Sequence, residues 1–251
     1  MIIVILAVLA VFGITETTYG WGLATHVELA ETILNHSVVL VSAVGAILLR
    51  YRNDFVLGNL LADVMIAKKM SRRRKTSHHW TGALRLLANA EQDRTRAFAY
   101  GFLTHLAADT VAHNHFIPQQ IARTGTGLIQ GHLYWEMMAD QLTNPANRKT
   151  IRKLLQNPYP VHQQAIELYL YPQMKWFGFN KSIFTHINRL ACGKRFARAA
   201  RLCNDMSIYP LENRDLQEYK SLATERMVDI VLKGKNSLLL REDPNGGEER
   251  V

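Results

Sequence analysis

Between Leu103 and Glu136 the chain reads LTHLAADTVAHNHFIP and then GHLYWE, which places His105, Asp109, His113 and His115 shortly ahead of His132 and Glu136. Residues four apart share one face of an α-helix. His105, Asp109 and His113 therefore form a stripe of imidazole, carboxylate and imidazole, and His132 and Glu136 repeat that spacing on a second segment. Neutral imidazole mixed with carboxylate is the ligand set that suits zinc, and less often manganese or iron. A lone histidine on an apolar helix face is ordinarily a packed core residue. Here eight of the ten histidines fall between Trp21 and Glu136, and four of those lie from His105 to His132, which is the clustering of a metal site.

Such side chains need rigid elements to hold them, and the elements read as helices. Apolar residues recur at three and four spacings through Val27–Leu34, Leu84–Ala90, Phe98–Val111, Ile151–Leu155, Ala165–Tyr171 and Leu222–Leu232, with no comparable period-two stretch. Gly58, Gly82, Gly101, Gly131, Gly178 and Gly193, together with six of the prolines, read as punctuation between roughly ten helices. Val38–Leu49 is nearly continuous apolar sequence of about twelve residues and is expected to be a buried central helix, too short to span a bilayer. Ser71–Lys75 reads as an exposed loop leading back to His78 and His79. The chain is 251 residues long and 48% hydrophobic, enough for one sizeable core and unlike a disordered chain. The expectation is a single all-α, multi-helix domain over 21–240, with a flexible tail over 241–251.

Residues 1–20 read as a secretory signal peptide: Ile2–Ile14 is almost wholly apolar, polar Thr15–Thr18 follow, and Thr18 and Gly20 are small at the positions cleavage requires. The n-region lacks Lys or Arg, so an uncleaved membrane tether is the competing reading. Cleavage after Gly20 would free the Trp21 α-amine, whose pKa near 8 lets it become a metal ligand. Cys192 and Cys203 are compatible with export but too few for a disulfide framework, and spacing leaves open whether they pair. A net charge of +9 favours polyanionic neighbours, phospholipid headgroups or nucleic acid, without choosing between them. The basic residues concentrate in Lys68–Lys75 and Lys194–Arg201, runs that ordinarily form solvated faces or loops. No obligate protein partner is evident.

Five ordered motifs carry a resemblance: WGLATH with Trp21 and His26, GNLLADV with Asp63, SHHW with His78 and His79, GFLTHLAADTVAHNHF, and HLYWE. Over Trp21–Glu136 the chain resembles the zinc-dependent phospholipase C family, which shares an all-helical fold and a three-zinc site with the fungal single-strand-specific zinc nucleases. The resemblance implies up to three zinc ions. One would be held by Asp63, one of His78 and His79, His105 and Asp109. A second would be held by His113 or His115 with His132 and Glu136. The third would take the Trp21 amine and carbonyl, His26 and the second oxygen of Asp109. His78 is slightly preferred within its pair. His113 is favoured over His115 because it continues the stripe of His105 and Asp109, while Asn114 and Pro118 follow it.

Two metals about 3.5–4 Å apart can share a hydroxide poised in line with phosphorus, with the third facing the leaving oxygen. Asp63 is the candidate catalytic residue, orienting or deprotonating the water. The expected function is an exported zinc phosphodiesterase, a phospholipase C that releases diacylglycerol and a phosphorylated headgroup at a phospholipid or membrane surface. A single-strand-specific nuclease is the alternative, and a non-catalytic helical metal-binding protein is the second. Trp80, Tyr134 and Trp135 are expected mainly to pack. Asp54, Asp140 and Glu28 could support ligating imidazoles, and His36, His162 and His186 are expected to be structural or superficial.

Overall fold

The computed structural model describes residues 20–64, 78–156, 160–170 and 177–246, and within them every regular element is helical. In chain order these are α1 (Leu23–Leu34), α2 (Ser37–Leu40), α3 (Ala43–Arg50), α4 (Arg52–Leu61), α5 (Trp80–Ala88), α6 (Asp93–Val111), α7 (Ile117–Thr124), α8 (Leu128–Gln141), α9 (Pro145–Gln156), α10 (Pro160–Ala165), α11 (Phe177–Ala191), α12 (Lys194–Asp205) and α13 (Asn213–Lys233). The protein is all-α. The signal-peptide stretch 1–19, the loop 71–75 and the basic run 68–75 lie outside the described residues.

The core is organised around α6. From Gly101 to Val111 every residue is buried, as befits a helix surrounded by others rather than one with a single apolar stripe. α4, α5 and α13 pack along it, and α1 lies against α4. The α4–α6 crossing is close because both helices place glycine at the contact. A Cβ built on Gly58 would sit 2.1 Å from the Phe98 carbonyl oxygen, and one on Gly101 would sit 2.0 Å from that of Phe55. Asn59 Nδ2 donates to Thr104 Oγ1 across the same contact at 3.2 Å. Neither glycine is a breaker, as the sequence had suggested: each lies inside a helix because it lets two backbones meet.

Two further expectations are corrected. Val38–Leu49 is two short helices, α2 and α3, rather than one buried helix. Ser42 separates them, since its hydroxyl accepts from Gly45 N at 2.9 Å, caps α3, and donates to Val39 O at 2.7 Å. Only Val39, Gly45 and Leu48 of this hairpin are buried, while Val41 is 87% exposed. The second correction concerns the expected loose tail. Trp80 Nε1 donates to Glu242 O at 2.8 Å, Asn114 Nδ2 to Asp243 O at 3.4 Å, and Asn245 Nδ2 to His78 O at 2.9 Å, so residues 242–246 are tied across the bundle. Residues 247–251 lie outside the described residues.

Candidate metal centre

The tight α4–α6 crossing carries Asp63, just beyond the end of α4, to the face of α6 that bears His105 and Asp109. His78 enters from the segment ahead of α5. Ligand atoms from Asp63, His78, His105 and Asp109 all lie within 4.8 Å of one another, and all four residues are buried. Asp109 Oδ2 is 2.9 Å from His78 Nε2 and 3.1 Å from His105 Nε2, and those two nitrogens are 3.1 Å apart. Asp63 Oδ1 lies 3.7 Å from His78 Nε2 and 3.5 Å from His105 Nε2. A tetrahedral zinc shell with bonds of about 2.0–2.1 Å separates its ligand atoms by about 3.3 Å. The observed edges bracket that value.

Hydrogen bonding does not account for this packing. No hydrogen bond of acceptable geometry reaches either oxygen of Asp109, Asp63 Oδ1 or His105 Nδ1 among the described residues. A buried carboxylate without donors is costly unless a cation sits beside it, so the donor set fits a metal ion. The titration behaviour has the same origin. Burial opposes a charge on His105, yet the carboxylates of Asp109 and Asp63 outweigh it and push the imidazole up to about 10. Burial would likewise raise Asp109, but His105 and His26 hold it well below the usual carboxylate range. Without metal, two carboxylates recruit a proton to supply the positive charge the pocket demands.

The remaining predicted residues form two flanking groups. His26, on α1, is fully buried, stacks on His105 with ring centroids 3.9 Å apart, and places Nε2 3.2 Å from Asp109 Oδ1. The two oxygens of Asp109 thus face different imidazoles. Gly20 lies against the same Oδ1, where a Cβ would come within 2.0 Å, and the Trp21 side chain is completely buried. α1 is oriented by Asp140, whose carboxylate accepts from Ala24 N and Thr25 N at 3.1 and 2.8 Å. That is capping by a residue distant in sequence.

The other group gathers where α6 ends. A single π-helical turn, Ala112–Phe116, follows Val111 and carries His113, and such turns recur at functional sites. His113 Nδ1 is 3.2 Å from His132 Nε2, and Glu136 is buried one turn further along α8. Burial lowers the His132 pKa, with Asp109 opposing, and keeps the ring a neutral nitrogen donor near pH 7. The members of each ambiguous pair occupy different places. His78 joins the buried cluster while His79 immediately precedes α5, and His113 meets His132 while His115 Nε2 faces Arg226 Nη2 at 3.2 Å. Beside these groups lies a cavity of about 90 Å³ whose lining includes Asp63 and Glu136 together with Ile151, Phe184 and Phe196.

The family model for zinc dependent phospholipase C matches residues 25–195, more than half of the chain. The chain belongs to the zinc-dependent phospholipase C family. The match includes His26 and every other predicted ligand except Trp21, and it continues past Glu136, where no motif could be aligned, through α9 and α10 to α11. No curated protein and no solved structure matches the chain.

As a member of the phospholipase C family, the protein has neighbours to its site that sequence had left open. Asp54 serves His162 rather than a site imidazole, and Glu28 accepts from Lys220 at 2.6 Å. Thr104 and Thr110 bond back to their own helix. Trp80 and Trp135 are packed in the core, His186 is exposed, and Cys192 and Cys203 are not bonded to each other. Asp140 accepts from the first turn of α1 rather than from a site imidazole, and the contacts of Gly20 and Asn245 with the site were missed, because neither has a spacing signature.

Proposed function

We propose that the protein is an exported zinc-dependent phospholipase C that hydrolyses glycerophospholipids on the glycerol side of the phosphate. The family supplies the coarser statement, a zinc-dependent phospholipase C-like hydrolase. The observation that carries the reading further is the buried quartet of Asp63, His78, His105 and Asp109 at ligand spacing. In this reading these four would hold one zinc, His113, His132 and Glu136 would hold a second, and the Trp21 main chain, His26 and the free oxygen of Asp109 would hold a third. Zinc at such a site acidifies water and offsets the charge that develops on phosphoryl and leaving oxygens.

The chain's own part is positioning and exclusion. Asp109 presents one oxygen to His78 and His105 and the other to His26, which makes it the hinge between two groups of donors. Asp63 belongs to the quartet and also lines the cavity, which supports a role for its carboxylate in orienting a water or taking its proton. Ile151, Phe184 and Phe196 give the lining of that cavity an apolar part, which suits the apolar portion of a lipid. Export rests on the apolar stretch Ile2–Ile14. No helix among the described residues is long and apolar enough to cross a membrane.

The test offers the zinc-loaded protein phosphatidylcholine vesicles, a chromogenic choline phosphodiester and single-stranded DNA. Release of diacylglycerol is the expected result. Cleavage of DNA alone would assign a nuclease instead, a reading that the net charge of +9 supports, and bound zinc without turnover would leave a binding protein.

A further inference from the structure

A second concave feature lies between α9 and α12. It is a groove of about 450 Å³ whose charged lining consists of Arg148, Lys149, Arg152, Lys194, Arg198 and Arg201, without an acidic residue. α9 carries no acid at all, and α12 carries only Asp205, at its end. Five of the six cations are exposed, Arg148 being the buried one, and none of those five is in an ion pair among the described residues. Converging like charges repel one another, and a polyanion relieves the repulsion.

The surroundings indicate which polyanion. Lys194, Arg198 and Arg201 follow helical spacing along one face of α12, and Leu202 lines the same groove, with Met206 one turn beyond. Leu202 is 44% exposed, Met206 83% and Ile208 86%. Cations bordered by protruding apolar side chains match a bilayer interface, with headgroup phosphates above and acyl chains below. A nucleic acid would reward stacking platforms instead, and Tyr209, the aromatic residue of this turn, is engaged by Arg123 at 5.8 Å. Another exposed apolar knuckle, at Val38 and Val41, has only Arg50 as a cation in Ser37–Arg50.

The groove is also joined to the site. Arg148 and Cys192 line both the groove and the cavity that Asp63 and Glu136 also line. Arg148 is held there by donating to Asp140 O at 3.1 Å and Gln141 Oε1 at 2.9 Å.

We propose that α9, α12 and the Met206–Tyr209 turn form the face by which the protein docks on an anionic phospholipid bilayer. Arg152, Arg198 and Arg201 contact headgroup phosphates, and Leu202, Met206 and Ile208 enter the interface. The biological purpose of this face rests on the phospholipase reading, but its existence can be tested separately. Vesicles of phosphatidylcholine alone, and of phosphatidylcholine mixed equally with phosphatidylglycerol, are sedimented with full-length protein. Wild type is expected to prefer the mixed vesicles and to lose them as salt rises. The triple variant Arg152→Gln, Arg198→Gln and Arg201→Gln should bind them about 100-fold more weakly, and Met206→Ser with Ile208→Ser should bind more weakly at every salt concentration. Both variants should turn over a water-soluble phosphodiester at the wild-type rate. Equal binding by wild type and both variants overturns the docking face, as does preference for single-stranded DNA over the mixed vesicles. Docking that depends on these residues, without hydrolysis of any phosphodiester, keeps the face and removes the phospholipase reading.

Discussion

At the scale of single residues, Asp109 differs from its neighbours because its two oxygens serve different groups, Oδ2 facing His78 and His105 and Oδ1 facing His26. Asp109→Asn replaces one oxygen with a donor and removes the charge, so metal analysis should show two zinc ions lost together. Glu136→Gln should cost one, and equal single losses would refute the bridging role. Asp54 allows a separate test of stability. Burial raises its carboxyl, but bonds from His162 at 2.7 Å and from Arg94 outweigh burial and lower its pKa. A carboxylate depressed in the folded state contributes stability above its unfolded pKa of about 3.9, and that contribution is lost as pH falls through the lower folded value. Asp54→Asn should therefore destabilise by about 1–3 kcal/mol at pH 7 and by much less near pH 2. Denaturant unfolding at both pH values checks this. A constant difference would mean that the pairing is not the source.

At the scale of elements, the site depends on how closely α4 and α6 approach. A methyl group at Gly101 would collide with the Phe55 carbonyl, which is backbone and cannot rotate away. Gly101→Ala should lower stability by about 1–3 kcal/mol and should weaken zinc retention too, because Asp63 and His105 stand on opposite sides of that crossing. A surface control, Gly178→Ala, has open space around its Cβ and should do neither. The crossing also explains what sequence could reveal. Ligand spacing was legible because His105 and Asp109 share a helix and four-residue periodicity is local, and the all-α class followed from the same rhythm. Gly58 and Gly101 were misread because a glycine looks alike whether it ends a helix or admits a neighbour. The Val38–Leu49 hairpin was misread because hydrophobicity alone does not register a serine cap. The held C-terminal residues were invisible because Asn245 reaches His78 across most of the chain.

At the scale of the whole molecule, the site is assembled from both ends of the domain, since Gly20 touches Asp109 and residues 242–246 reach His78 and His113. The N-terminal side gives the most direct test. As long as residue 20 is attached, the Trp21 nitrogen is an amide and a poor donor, and Gly20 occupies the space before Asp109 Oδ1. Cleavage after Gly20 would clear that space and leave an amine with a pKa of about 7.7–8.0, which loses its proton to a nearby dication. Two chains differing by one residue, beginning at Gly20 or at Trp21, isolate the effect from every other property of the leader. The chain beginning at Trp21 should hold one more zinc per molecule by native mass spectrometry. Its advantage should shrink as pH falls below about 7, where protons compete for the amine. Equal zinc content at pH 8 would show that the amine plays no part in holding the ion.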